Sequence, residues 1–236
     1  MLGSLFNVIG IRLPKGEPFG NERSYCPSCY KQLKAYELIP LMSYMLQMGK
    51  CRHCKVRIPL RYLLIELATG LTFLLSYLFI GIQIELLVAL LLMSMLAIVF
   101  ITDINYMLIP NRVLYFFLPF FIVLRILSPL DPIYDALIGG IVGYFLIAII
   151  IIISNGGMGA GDMKLFGVLG IVLGWKLTLL TFFFATLFGA VVGIILRLTK
   201  KNNKNEPIPF GPHIVLGTIV TYFYGDQIIK WYINLL

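Results

Sequence analysis

Charged side chains are scarce in this chain, and their scarcity excludes most soluble folds. Only 13% of the 236 residues are charged, 59% are hydrophobic, and the mean hydropathy is +0.92. Soluble globular domains carry about twice that share of charge, roughly 25%. The composition therefore predicts an integral membrane protein.

The chain also lacks the features of a cleavable signal peptide and of a glycine-rich nucleotide-binding loop. The apolar start, Met1–Ile11, has no basic region before it and no obvious small-residue cleavage site after it. We therefore expect it to form the inner part of a first helix, not a cleaved signal peptide. No glycine-rich nucleotide loop follows a predicted strand, so the spacing of residues does not locate a site for a methyl donor.

Long apolar runs, by contrast, are abundant. A membrane-spanning helix needs roughly 20 mostly apolar residues, and six segments fit that template. A seventh, Met163–Trp175, would cross only as a short or tilted helix. With the N-terminal segment, we predict an all-α, polytopic transmembrane bundle of about seven to eight helices. The six segments are Leu60–Ile80, Ile84–Thr102, Val113–Ser128, Ile133–Ser154, Lys176–Arg197 and Pro212–Tyr232.

Positive charge is unevenly distributed and predicts the orientation. Ten of the 19 Lys and Arg residues lie between Arg12 and Arg61, so this region is expected on the cytoplasmic side. Alternating the spans from there leaves the outer turns with one basic residue, Lys176. The same alternation brings Asp103 and Asp162 to the cytoplasmic ends of their helices.

These two aspartates are the most informative residues of the chain. Asp103 ends the apolar run LLVALLLMSMLAIVFIT, and Asp162 follows the glycine-rich stretch GGMGAG. Carboxylates at membrane depth are costly and usually functional. A lone aspartate at a helix end is more often a carboxylate in the headgroup layer. Two at one level on neighbouring helices would form the pair with which an aspartic protease activates water.

Local features favour the functional interpretation. Pro110 ends the helix after Asp103 and leaves unpaired backbone there. Glycines before Asp162 allow close approach of an extended peptide, so we expect Gly159 and Gly161 to contact substrate. Lys164 is either an electrostatic partner in that site or a contact to lipid phosphate. Because a helix N-terminus stabilises an anion, we hypothesise that Asp162 is the ionised base and Asp103 the protonated acid.

The segment GMGAGDMKL resembles the GxGD signature of polytopic membrane aspartic proteases, and more narrowly of bacterial type IV prepilin leader peptidases. Three other blocks resemble the family's opening, its cytoplasmic loop with the next helix, and the entry to its last helix. These blocks are GSLFNVIGIRLPKGE, IPLMSYMLQMGKCRHCKVRIPLRYLLIELATG and PIPFGPH.

The resemblance implies an aspartic endopeptidase with Asp103 and Asp162 as catalytic residues. Its substrates would be prepilins or pseudopilins, cleaved at the cytoplasmic face of the bacterial plasma (inner) membrane. In many members of the family, N-methylation of the new N-terminus with S-adenosylmethionine follows. Pilus, protein-secretion and DNA-uptake (competence) systems all remain open as the setting.

Cysteine is also scarce, and all four cysteines lie in the basic loop. Cys26, Cys29, Cys51 and Cys54 form two CxxC pairs separated by 21 residues. This spacing is typical of a structural zinc site with four thiolate ligands. Two disulfides, redox-active thiols and unligated cysteines are the alternatives, and a cytoplasmic location disfavours disulfides. His53 lies inside the second pair and is predicted to be a bystander.

Three isolated polar residues remain, and two of them have two interpretations. Glu66 lies about one and a half turns into its helix, either as a snorkelling carboxylate or as part of a site for the substrate amine or the methyl donor. His213 is either a structural histidine or a residue that lines the active site. Arg125, near the outer end of its helix, is expected to snorkel outward.

The domain organisation is expected to have two parts. Residues 1–83 contain the cytoplasmic loop, at about 13–59, and residues 84–236 form the peptidase membrane domain. Besides substrates, we expect membrane lipids as partners and no nucleic acid. One alternative is a secondary transporter with the aspartates as a proton or cation relay, although no inverted repeat is evident. Another is a non-catalytic assembly factor of a pilus or secretion machine.

Overall fold

Helices account for the regular structure in this computed structural model, which describes residues 2–17, 25–26, 28–32, 42–199 and 208–235. These residues contain no β-strand, only two isolated antiparallel bridges, Tyr25 with Gln32 and Lys50 with Arg57. The helices are α1 (Leu2–Arg12), α2 (Met42–Leu46), α3 (Leu60–Ile80), α4 (Ile84–Tyr106), α5 (Asn111–Leu127), α6 (Asp135–Ile153), α7 (Ala160–Leu173), α8 (Trp175–Leu198) and α9 (Gly211–Leu235).

The predicted all-α membrane fold is confirmed. Each of the six predicted spans coincides with one helix, the short seventh segment is α7, and the apolar start is α1. Within the described residues, four helices, α3, α4, α6 and α8, are long and apolar enough to cross a membrane. With 17 and 14 residues, α5 and α7 are shorter than the roughly 20 residues of a typical span.

Local backbone conformations determine where α4 and α7 end. Met107 adopts a left-handed conformation with φ of 51° and donates its N–H to the Asp103 carbonyl, which closes α4. Pro110 then precedes α5. Gly174, with φ of 80°, separates α7 from α8, a conformation that glycine adopts without steric cost.

The central helix of the bundle is α4. It packs against α1, α3, α5 and α9, and 56% of its spanning window is buried, compared with 11% for α3 and for α8. Its apolar residues occupy every side of the helix, which is the pattern of a helix surrounded by protein. Val88, Leu92, Met95 and Leu96 are among its fully buried side chains.

A second buried helix, α7, completes the core. It packs against α5, α6 and α8, while α9 contacts both α8 and α4, so α4, α5, α7, α8 and α9 form a closed ring. Small residues let α6 and α7 approach closely: a Cβ at Gly139 would lie 2.7 Å from the carbonyl carbon of Gly174 and would also contact the Gly170 carbonyl oxygen.

An ion pair between a buried arginine and a partly exposed glutamate holds four of these helices together at one end. The Arg125 guanidinium donates to both carboxylate oxygens of Glu85, at 2.6 and 3.0 Å, and to the Val172 carbonyl. The Tyr222 hydroxyl donates to Glu85 at 2.9 Å. The expectation that Arg125 snorkels outward is wrong, since its side chain is only 5% exposed. Inside the bundle, Glu85 and the end of α7 accept the hydrogen bonds that the Arg125 guanidinium would otherwise donate to water or lipid headgroups.

Candidate active site

Asp103 lies near the C-terminal end of α4 and is buried, with 6% of its surface exposed. Its carboxylate faces the start of α9, where the Gly211 N–H donates to Oδ2 at 2.7 Å. The N-terminal N–H groups of a helix have no partner within the helix. Asp103 therefore caps α9, although it belongs to α4.

Asp162 is the third residue of α7 and is 8% exposed. Its Oδ2 accepts the Gly159 N–H at 3.0 Å, and its own N–H donates to the Gly159 carbonyl at 3.0 Å. This reciprocal bonding closes the first turn of α7. It also fixes the direction of the carboxylate at the N-terminal end of the helix.

The two carboxyl groups lie close enough to interact electrostatically, so the structure brings Asp103 and Asp162 together at one end of the bundle. Glu85 begins α4 at the opposite end. Both aspartates accept a backbone N–H at a helix N-terminus. The premise that only Asp162 has this environment does not hold, because Asp103 is capped by α9 in space. The helix-end argument therefore no longer distinguishes the acid from the base.

Gly211 is a site residue that sequence reasoning missed. A Cβ at this position would lie 2.6 Å from Oδ2 of Asp103 and 2.8 Å from its Cγ. Any side chain here would displace the carboxylate. The signal was present in the sequence, as Gly211 lies within the block PIPFGPH.

Two of the predicted substrate residues, Gly161 and Lys164, have clear partners. A Cβ at Gly161 would lie 3.0 Å from the Ile109 side chain, so this glycine lets α7 pack on the segment after α4. Lys164 Nζ donates to Asn111 Oδ1 at 3.0 Å, which ties α7 to the start of α5. Gly156, with φ of 87°, is exposed and has nothing near its missing side chain, so its backbone is accessible.

Glu66 lies on α3 at the contact with α1, where a Cβ at Gly3 would lie 3.0 Å from the Glu66 Cα. On the same helix as Gly3, Asn7 is 4% exposed and donates its side-chain N–H to the Gly3 carbonyl at 3.2 Å. The α1–α3 contact is therefore close and contains a buried polar group.

The four cysteines form one cluster. Their sulfur atoms all lie within 4.8 Å of one another, and the Sγ atoms of Cys26 and Cys54 are 3.8 Å apart. Four ligands at the ordinary Zn–S distance of ~2.3 Å in a tetrahedron are separated by about 3.8 Å. The cluster therefore has the donor set and the spacing to hold a metal ion.

Two equivalent turns build this cluster. In each, the N–H of the first cysteine donates to the carbonyl five residues on, and its carbonyl accepts the N–H four residues on, at 2.8 to 3.0 Å. The residue four positions on has φ of 55° or 59°. These partners are Lys31 and Tyr30 for Cys26, and Val56 and Lys55 for Cys51. In the second turn, N–H groups of Cys54 and His53 lower the pKa of the Cys51 thiol to about 7, which favours the metal-binding thiolate.

The fold defines the class: a helical membrane protein with two buried carboxylates at one end of its bundle. The chain matches the bacterial peptidase A24 N-terminal domain over residues 1–80 and the type IV leader peptidase family over residues 90–194. The chain belongs to the type IV leader peptidase family. No solved structure matches it with significance.

Three relatives are each named prepilin leader peptidase/N-methyltransferase. The one from Bacillus subtilis is 44% identical over 100% of this chain and 95% of the relative. Those from Aeromonas salmonicida and Pseudomonas aeruginosa are 31% and 30% identical over 99% of this chain, and over 91% and 90% of the relatives. The predicted family and leader peptidase class are confirmed, and these relatives lend no support to a transporter.

Proposed function

We propose that this protein removes the leader peptide from prepilins or pseudopilins, with Asp103 and Asp162 as the catalytic pair. The observation that carries the proposal is the meeting of two buried carboxylates, from the two central helices, at one end of the bundle. Two carboxyl groups at one site suit the aspartic mechanism, in which one is ionised and the other protonated, and we propose that this pair shares a proton in that way.

The chemistry follows from sharing that proton. The ionised carboxylate accepts a proton from water, whose oxygen attacks the scissile carbonyl, while the protonated carboxyl donates a hydrogen bond to the carbonyl oxygen. The C–N bond then breaks and the leaving nitrogen receives a proton. The pair titrates as one unit, so neither step is assigned to one residue.

Asp→Asn substitutions test the catalytic pair. The protein is co-expressed with a pseudopilin, and leader removal is followed by the change in substrate mass. We expect Asp103→Asn and Asp162→Asn to abolish cleavage, because an amide cannot accept the proton from water. Asp226→Asn, on the exposed part of α9, is the matched control and should cleave normally. Cleavage that survives at either buried aspartate removes the proposal.

The protein is proposed to lie in the bacterial plasma membrane, with the end of the bundle that holds Asp103 and Asp162 facing the cytoplasm. The basic loop between Arg12 and Arg61 supports this orientation by the positive-inside rule. A substrate anchored by its own apolar helix would present its leader junction at that level. The exposed backbone at Gly156 and the residues Gly159, Gly161 and Lys164 around Asp162 are the proposed contacts to the extended substrate.

The four-cysteine cluster is proposed to hold a structural Zn²⁺. Four thiolates complete a tetrahedron, so Cys26, Cys29, Cys51 and Cys54 would leave no open position for water. The ion would join the two turns of the cytoplasmic loop. The surrounding basic residues are proposed to contact anionic lipid headgroups, with no role in binding nucleic acid.

N-methylation of the cleaved product is proposed as a second activity, with S-adenosylmethionine as donor. The relatives' name includes an N-methyltransferase, which supports the proposal. Glu66, at the α1–α3 contact, is the candidate residue for the substrate amine or the donor, in the N-terminal part, 1–83, as distinct from the peptidase part, 84–236. Mass spectrometry of the product tests it: we expect Glu66→Gln to lose the methyl increment and retain leader removal. A product that is unmethylated with the unaltered protein contradicts the proposal.

A further inference from the structure

His213 is a buried polar residue beside the aspartate pair that the proposed chemistry leaves without a role. It is the third residue of α9 and is 6% exposed. Its Nδ1 has no hydrogen-bond partner within the described part of the chain. A buried polar atom without a partner costs free energy, so a purely structural role does not explain why a histidine is here.

The ring has apolar neighbours and interacts with the Asp103 carboxylate. The Phe210 ring lies on one side, with centroids 6.2 Å apart, and Gly189 of α8 lies against Cγ, where a Cβ would be 3.8 Å away. Neither neighbour can neutralise a charge. Asp103 interacts electrostatically with the ring, and the Gly211 N–H, two residues before His213, holds the same carboxylate.

The other charged groups on α4, α8 and α9 lie far from His213 along these helices. Asp103 on α4 interacts with Asp162 on α7, whereas Glu85 lies at the opposite end of α4. The remaining charges lie at the two ends of α8 and in the second half of α9: Lys176, Arg197, Asp226 and Lys230. Among the described residues of α4, α8 and α9, Asp103 is the charged group that interacts with the imidazole.

We propose that His213 is a positioning residue for the aspartate pair, whose imidazolium form stabilises the ionised carboxylate of Asp103. The inference rests on the proposed proteolytic function. An unperturbed histidine gains its charge near pH 6.5. As the pH falls, the pair tends to take up a second proton and lose its base. A neighbouring positive charge opposes that uptake, so the enzyme stays active at a lower pH than the pair alone would allow.

The pH profile of kcat tests this inference. It is measured on the full-length protein in lipid vesicles with a pseudopilin substrate. For His213→Gln and His213→Phe we expect the acid limb to move to higher pH by about one unit, the lower end of the shift that a nearby opposite charge causes. The alkaline limb should stay, because the proposed effect belongs to the imidazolium form, which a histidine loses as the pH rises.

Thr221→Val is the matched control. Thr221 lies about two turns further along α9, is fully buried, and also has a side-chain oxygen without a partner among the described residues. It should leave both limbs in place. An unmoved acid limb in a folded His213→Gln or His213→Phe variant overturns the proposal, and failure of both to fold assigns His213 a structural role and overturns it too. Cleavage by Asp103→Asn would instead contradict the proposed function itself.

Discussion

At the scale of single residues, each aspartate rests against a glycine. Gly211 and Gly159 donate their N–H groups to Asp103 and Asp162, and a Cβ on either glycine would lie 2.6 or 3.2 Å from the carboxylate oxygen. The carboxylates thus receive hydrogen bonds from backbone that has no side chain in the way. The glycine before Asp162 was predictable from the chain order, whereas Gly211 is 108 residues from Asp103 and only the packing of α9 brings them together.

Gly211→Ala tests the importance of that close approach. The added methyl group displaces the Asp103 carboxylate, and a misplacement of about 1 Å can cost ~100-fold in rate. We expect kcat to fall by about that factor, and the free energy of unfolding to fall by about 1 kcal/mol, because the displaced carboxylate no longer caps α9. The measurement is pseudopilin cleavage by the purified protein together with its unfolding temperature.

Gly70→Ala is the matched control for this change. Gly70 lies within α3 and has nothing within 4 Å of the added Cβ. Its kcat should match that of the unaltered protein. A Gly211→Ala enzyme as active as Gly70→Ala would show that the carboxylate does not need the position seen here.

At the scale of helices, hydropathy predicted the elements well and their contacts poorly. Apolar runs of span length identify a helix wherever they occur, and α3 coincides with its predicted segment residue for residue. Hydropathy does not say which helix lies inside. The central position of α4 and α7, and the inward direction of Arg125, depend on partners that are distant in sequence, such as Glu85.

A pair of glycines on α7 tests the close contact with α6. An added Cβ at Gly170 would lie 2.7 Å from the backbone nitrogen of Gly140 and would contact the Gly139 carbonyl, whereas at Gly167 the nearest atom is at 3.5 Å. We expect Gly170→Ala to lower the free energy of unfolding by about 1–3 kcal/mol through overpacking. Gly167→Ala should be neutral or stabilising, by up to about 1 kcal/mol.

Chemical denaturation in detergent micelles or bilayers measures both variants. Equal stability of the two proteins would mean that the α6–α7 contact is looser than the structure has it.

At the scale of the whole molecule, two sites are built in different ways. The aspartate pair requires the ring of five helices, so the sequence predicts its residues but not its hydrogen bonds. The four-cysteine cluster is made by two short turns, and the CxxC spacing alone predicts these turns. The loop with the four cysteines and the ring of five helices are therefore expected to respond differently to metal removal.

Metal content tests the proposed zinc site. We expect one zinc per chain, lost in Cys51→Ser and retained in His53→Gln, because His53 is not part of the cluster. Zinc should also be released as the pH falls, since thiolates must be deprotonated to bind it. Elemental analysis of the purified protein measures this directly. Zinc that is absent from the unaltered protein, or retained in Cys51→Ser, contradicts the assignment.

The central claim is that Asp103 and Asp162 act as one catalytic unit. Single-turnover cleavage of a pseudopilin by the purified, full-length protein in lipid vesicles tests it most directly, with Asp103→Asn, Asp162→Asn and the double variant compared. Residues that act as a unit lose activity non-additively. We predict that all three variants fall to the same background rate while remaining folded. A single variant that cleaves measurably faster than the double variant would contradict the account.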